Sequence, residues 1–228
     1  MTLPPGLGVV VGLATEARLA AAIARPHLIV ASGATPQGAD AAAKALVARG
    51  ATHLLSFGFA AGLDPLLGPG SLLLPREVVV DGIAIASDDS LTALFAPETS
   101  DAAAIYSPLL HSDTLVGERE EKASLHATSR CASLDMESGA VARVARAAGL
   151  PFAVLRTVCD PADTSLPPAA RVSLKPDGTL DKVGVARSIL FHPAQLPALI
   201  RLGRDARRAH LALQVHVTRA RHLPGATS

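Results

Sequence analysis

Aromatic side chains are scarce in this 228-residue chain: it has no tryptophan, one tyrosine and five phenylalanines. A protein that binds nucleic acid needs a basic face with aromatic platforms for the bases. A net charge of +1 and an aromatic content of 3% offer neither, so a nucleic-acid partner is excluded. Cysteine is equally sparse. Cys131 and Cys159 are the only two, with no CxxC spacing, which argues against structural zinc and a disulfide framework and fits a reducing cytoplasm. His53, His111, His126 and His192 show no metal-ligand spacing either, so no metal is expected. No apolar run approaches the roughly 18 residues of a membrane helix. Met1 to Pro5 does not open a basic segment leading into a long apolar stretch, so no secretory signal is expected.

The chain is rich in small aliphatic residues. Hydrophobic residues make up 49% of it, and the length suits one domain, residues 1–228, with a well-filled core. Hydrophobic periodicity predicts strand Gly8–Gly12, helix Thr15–Ala24, strand His27–Ser32, helix Gln37–Arg49 and strand Thr52–Ser56. That alternation implies a parallel sheet with right-handed crossovers. Ser71–Val80 and Gly82–Ser87 read as strands joined by a hairpin turn at Asp81-Gly82, and Asp88–Pro108 as loop with one short helix. Leu109–Val116 and Cys131–Met136 are strand-like, Glu137–Ala148 is helical with Gly149 as its stop, and Phe152–Val158 is a fully apolar strand. A turn at Lys175–Gly178 and helices over Val183–Phe191 and Leu196–Val217 complete the pattern. The tail 223–228 is expected to be disordered.

Three strand ends carry unusual residues. The small-residue run Ser56-Phe57-Gly58-Phe59-Ala60-Ala61-Gly62-Leu63 taken alone reads first as a turn packed tightly on the sheet, and otherwise as a turn that lets backbone approach a ligand. Asp135-Met136-Glu137 puts two carboxylates where a strand passes into a helix. They suit a ligand at the carboxyl edge of an open sheet, or merely a charged helix start. Arg156 and Asp160 close an apolar strand, their heads placed near solvent. An arginine there needs a buried anion, either as part of a site or in a structural ion pair with Glu16 or Glu137. Glu118–Lys122 reads as a solvated helix face, or, if it is a loop near Val116, as a flap over a ligand. The arginines from Arg201 to Arg221 read as solvent-facing, with attraction to anionic lipid as the alternative.

Taken together, Gly12 with Glu16, Ser56-x-Gly-x-Ala-x-Gly-Leu with Gly70, Asp135-Met136-Glu137-Ser138 and Arg156-x-x-x-Asp160 resemble the nucleoside phosphorylase and nucleosidase superfamily, collinearly from Val9 to Asp163. Asp163-Thr-Ser-Leu-Pro-Pro-Ala-Ala, Lys175-Pro-Asp-Gly and His192-Pro-Ala-Gln-Leu-Pro-Ala-Leu resemble its hopanoid-associated phosphorylase subgroup. The resemblance implies a single-domain, three-layer α/β/α fold with a mixed, mostly parallel sheet. It implies an enzyme that releases adenine from a 5′-modified nucleoside, adenosylhopane in the subgroup, with a 5′-methylthioadenosine/S-adenosylhomocysteine nucleosidase or a purine nucleoside phosphorylase of other specificity as the alternatives. A non-catalytic nucleoside-binding protein on the same fold is the reading from another class. Retention of Asp160, Glu137 and Arg156 together speaks against it, since binding alone needs no acid.

By the same resemblance Asp160 is the acid on the leaving base, suited to that role if burial raises its pKa. Glu137 binds the ribose hydroxyls, Met136 packs on the ribose, and Arg156 orients the carboxylates. Asp135, Phe59, Ala60, Ala61, Leu115, Val116 and Cys159 join the substrate-binding set, with Leu115 where relatives stack an aromatic on the base. The nucleosidases' base for water falls at Ala17, one residue after Glu16, and a shift of one residue turns a helical side chain by about 100°. Two phosphate-binding arginines of the phosphorylases read here as Glu16 and His53, while Ser56 and Gly12 match that branch's phosphate site. The nucleophile is therefore open between water, with Glu16 as base, and inorganic phosphate. No cofactor is implied. A homo-oligomer, a lipid-linked substrate and peripheral membrane contact are.

Overall fold

The computed structural model describes residues 2–97, 103–171, 188 and 191–221. In chain order the elements are β1 (Leu7–Val11), α1 (Ala14–Ala20), β2 (Ile29–Ala31), α2 (Pro36–Ala48), β3 (His53–Gly62), β4 (Leu72–Leu73), β5 (Glu77–Val80), β6 (Ile83–Ala86) and α3 (Asp89–Ala93). Then come β7 (Ala104–Ile105), β8 (Leu109–His111), α4 (Arg119–Ser129), β9 (Ser133–Asp135), α5 (Ser138–Ala148), β10 (Phe152–Asp160), α6 (Pro168–Arg171) and α7 (Leu196–Arg221). All ten strands join one mixed sheet in which parallel pairings outnumber antiparallel ones. The expected single-domain α/β fold is the observed one.

Side-chain alternation builds the three layers. Leu7, Val9, Val11, Leu55, Phe57, Ala153 and Leu155 face one way, onto α1, α3 and the Leu213–Val217 turn of α7. Val10, Leu54, Phe152 and Val154 face the other way, onto Ala39, Ala42, Ala43 and Leu46 of α2 and the Ala140–Ala145 stripe of α5. Strands with both faces covered must be apolar throughout, which is why β1 and β10 read as continuous hydrophobic runs. Helix α2 begins where Thr35 Oγ1 accepts the Gly38 N–H at 3.1 Å and Pro36 takes the first turn, an end with few unsatisfied donors.

Several boundaries differ from the sequence reading. Ser56–Leu63 is not a turn, because β3 continues to Gly62, held by its register with β10 from Leu54↔Phe152 to Ala60↔Val158. Ser71–Val80 is two strands in different parts of the sheet, β4 beside β10 and β5 between β6 and β8. The strands expected over Leu109–Val116 and Cys131–Met136 shorten to β8 and β9, and β10 runs on to Asp160. The Lys175–Gly178 turn, the 223–228 tail and most of the Val183–Phe191 helix lie outside the described residues. Among the described residues no helix is long and apolar enough to cross a membrane.

The surroundings of β3 create an opening in the sheet. β1 runs parallel along one edge of it as far as Val11↔Phe57, and β9 comes the opposite way along the same edge, beginning at Gly62↔Ser133 and Ala61↔Leu134. Between them Gly58, Phe59 and Ala60 have no strand neighbour on that side. α5 leaves this gap and ends at Gly149, whose φ of +66° puts it in the left-handed region, with open space where a Cβ would go. Gly149→Ala meets no collision, so its cost is conformational only, about 1 kcal/mol. Urea unfolding should show a lower midpoint at an unchanged slope.

Candidate active site

The gap along β3 is filled by charge. Arg156, in the middle of β10, is 1% exposed. With glycine opposite it in the register (Arg156↔Gly58), its side chain reaches across β3. Its Nε meets Asp135 Oδ2 at 2.5 Å and its Nη2 meets Glu137 Oε2 at 2.9 Å. Nη2 also donates to Ser56 Oγ at 2.9 Å, and Nη1 to the Phe59 carbonyl at 2.6 Å. Burial opposes the guanidinium's charge, but the carboxylates of Asp135, Glu137 and Glu16 outweigh it and raise its pKa. A buried cation is tolerated only with such partners.

Asp135 serves two ends at once. Its Oδ1 accepts the N–H groups of Glu137 (3.2 Å) and Ser138 (2.9 Å) at the start of α5. Its Oδ2 takes Arg156 and the Ser138 hydroxyl. One carboxylate thus both opens the helix and holds the arginine.

Glu16 faces the same gap, although the family's glutamate falls at Ala17. The turn of α1 carries its carboxylate back: Oε2 accepts the Leu13 N–H at 2.7 Å and Oε1 the Phe59 N–H at 3.1 Å. Phe59 is the middle of the three residues without a strand neighbour on this side, and Glu16 and Arg156 satisfy its N–H and C=O in place of a strand. Gly58 is needed here twice over. Its φ is +146°, and a Cβ on it would collide with the Glu16 carboxylate. A Cβ on Gly12 would stand 3.2 Å from Glu16 Oε2 and 3.4 Å from Glu137 Oε1, so the two carboxylates converge over that glycine. Burial raises the pKa of Glu16, with Arg156 opposing. Burial likewise pushes Glu137 up to about 7, against Arg156 and helped by Asp135 and Glu16.

Asp160 ends β10 some way along the same cleft. It is 6% exposed rather than near solvent, and the Arg156 head is buried as well. Its Oδ1 pairs at 2.7 Å with Nζ of Lys122, which is itself completely buried. Lys122 is therefore not part of a solvated helix face. Its polar neighbours in the sequence conceal a lysine pointing inward, and only tertiary contact reveals it. Burial raises the pKa of Asp160, with Lys122 opposing.

Glu16, Asp135, Glu137, Arg156 and Asp160 line one cleft of about 610 Å³. Phe59, Ala60 and Ala61 form part of its wall, as do Leu115, Val116, Met136 and Cys159. Gly12 lines it as well. Burial pushes the Cys159 thiol up to about 12, which leaves it an uncharged wall group. Leu166, Ala170, Leu202 and Ala206 add an apolar side that the sequence did not assign to the site, with Arg207 and His210 of α7 at its margin. Ser56 must be corrected. It has no exposed surface, lies outside the cleft lining, and its hydroxyl is occupied by Arg156 and Ser138. His53, at the far end of β3, contacts Thr52 instead. Among the described residues no cluster of His, Cys, Asp and Glu could hold a metal.

A three-layer α/β fold with buried acids gathered round one arginine, in a cleft where strands of opposite direction end, has the build of a small-molecule site. Residues 20–174 match the model of the Phosphorylase superfamily, and the chain belongs to that family. It is accordingly an enzyme of the nucleoside phosphorylase and nucleosidase kind, acting on an N-glycosidic bond. Among solved structures it is similar to S-adenosylhomocysteine nucleosidase from Streptococcus pyogenes in complex with 5-methylthiotubericidin. The TM-score is 0.64 at 14% identity, covering 93% of this chain and 96% of that one. Helicobacter pylori 5′-methylthioadenosine/S-adenosylhomocysteine nucleosidase gives 0.64 at 16%, covering 96% and 100%. Futalosine hydrolase of Helicobacter pylori gives 0.59 at 19%, covering 68% and 87%. At these identities the likeness is one of fold. No curated protein matches the sequence.

The Glu137 shift has a consequence for stability. A carboxyl whose pKa rises from 4.5 to about 7 on folding stabilises the fold fully below the unfolded value and loses that contribution as pH rises through 7. The stability of the wild type relative to Glu137→Gln should therefore fall between pH 5 and pH 8 in urea titrations. A flat or rising difference would show that Glu137 is not held protonated by burial.

Proposed function

We propose that this enzyme hydrolyses the N-glycosidic bond of an adenine nucleoside whose 5′ carbon carries an apolar group, adenosylhopane by the subgroup resemblance. The observation that carries the reading is the placing of acids round one cleft: Glu16 and Glu137 together over Gly12, and Asp160 further along. Breaking the bond builds positive charge on the ribose and negative charge on the base. Glu137 accepts the ribose hydroxyls and favours the cationic sugar, with Met136 packed on the ring. Glu16 takes a proton from water as the water oxygen bonds to C1′. The C1′–N9 bond breaks, and Asp160 gives its proton to N7 of the departing adenine. Arg156 holds Asp135 and Glu137 in place and takes no proton.

Water is favoured over phosphate by the electrostatics. Ser56 is occupied and buried, and Arg156 is consumed by two carboxylates. Of the cations lining the cleft that leaves Arg207. A dianion would also stand beside Glu16 and Glu137. The solved neighbours named as nucleosidases or as a hydrolase agree with hydrolysis. The apolar side formed by Leu166, Ala170, Leu202 and Ala206 supports a 5′ group larger than methylthio. The smaller substrates, 5′-methylthioadenosine and S-adenosylhomocysteine, are the second reading.

Adenine release from 5′-methylthioadenosine and from adenosine with a long 5′ alkyl chain, each with and without phosphate, tests this. Release independent of phosphate, the 5-substituted ribose rather than its 1-phosphate as the sugar product, and preference for the longer chain are expected. Strict dependence on phosphate would overturn the hydrolytic reading. Glu16→Gln and Asp160→Asn should fold and each lose on the order of a hundredfold or more in kcat.

A further inference from the structure

Lys122 is the one fully buried lysine among the described residues, and the hydrolytic mechanism does not use it. It sits in the first turn of α4 and points away from solvent into the end of β10. Its ammonium has three protons and finds three acceptors: Asp160 Oδ1 at 2.7 Å, the Thr164 carbonyl at 2.9 Å and the Pro161 carbonyl at 3.0 Å. The donor is saturated. One side chain therefore ties Asp160 to both ends of the turn beyond it, and that turn leads into Leu166 and Ala170 of the cleft wall.

The two oxygens of Asp160 are thereby made different. Oδ1 takes Lys122 and, at 3.5 Å, the Thr164 hydroxyl. Oδ2 has no hydrogen-bond partner among the described residues, while Asp160 itself lines the cleft. We propose that Lys122 is the positioning residue of the leaving-group site: it holds Oδ1 so that Oδ2 is presented to the purine, and anchors the 161–164 turn that leads to the Leu166 side of the cleft. This rests on the assignment of Asp160 to the leaving base.

The charge has a second effect. The charged groups facing Asp160 are Lys122 from α4 and Asp163 from the adjoining turn. Arg201 and Asp205 of α7 line the neighbouring cavity with it. Burial raises the pKa of Asp160, and Lys122 is the largest influence against that rise. Without the ammonium the acid's pKa climbs further. The falling limb of the pH profile, where the acid loses its proton, then moves to higher pH.

The test compares Lys122→Met, Lys122→Gln and Asp160→Asn in the full chain, by adenine release across pH and by thermal unfolding. Lys122→Met is expected to lower kcat by about a hundredfold, as for a catalytic group displaced by about 1 Å. KM should change little, and the falling limb should shift upward. Lys122→Gln keeps two donors without the charge, so it should shift the limb equally while losing less kcat, and it decides the matter if Lys122→Met does not fold. Lower kcat with an unmoved limb in the folded variants would make Lys122 a structural residue only and overturn the proposal. Wild-type kcat would overturn it as well. Full activity in Asp160→Asn would instead remove the underlying assignment of the acid, an outcome separate from the other two.

Discussion

The contact between Arg156 and the carboxylates of Asp135 and Glu137 is the constraint on which the rest of this structure depends. A guanidinium with 1% exposure in the middle of a parallel strand is unfavourable by several kcal/mol unless its charge is met. Meeting it draws together three parts of the chain that are distant in sequence: β10, the β9–α5 junction and the middle of β3. The arginine also completes the backbone of Phe59, where the sheet has no strand to do so. Removing it would leave two buried carboxylates and an open carbonyl, so the site and the sheet share one foundation.

Counting charge explains the acidity of the cleft. Asp135, Glu137 and Glu16 surround one arginine, and one cation offsets the burial of three carboxylates only in part. Asp135, with its own helix N–H donors, is the best satisfied of the three. Glu16 and Glu137 carry the excess as raised pKa values. Along the cleft the arrangement is different: Asp160 has its own cation, Lys122, one to one. Acids differing in cation supply within one cleft are what a reaction needs that takes a proton at one place and delivers it at another.

Much of this is legible in the sequence. The alternation of apolar runs announces the layers, and Glu137, Arg156 and Asp160 stand out because charge at the end of a buried strand needs a reason. Glu16 is harder, since the register of the family motif points to Ala17. The backbone donors of Leu13 and Phe59 decide where its carboxylate lies, and donors leave no mark on composition. Ser56–Leu63 looks like a turn because small residues and glycine favour turns. In the sheet the same residues make a strand whose glycine leaves room for the Glu16 carboxylate. Lys122 is concealed because a lysine among Glu and Arg on a helix is ordinarily solvated.

What the sequence determined by itself was the layered α/β fold and the presence of acids and an arginine at strand ends, because these follow from local periodicity and from the cost of burying charge; the family rests on the resemblance of its motifs. Tertiary structure alone decided that β1 and β9 stop short of each other along β3. It also decided that Glu16 turns into the gap they leave, that Ser56 is sealed beneath Arg156 and that Lys122 reaches Asp160. Those outcomes depend on which elements lie side by side and on the acceptors and donors left over between them. No pattern of residue types along the chain records that.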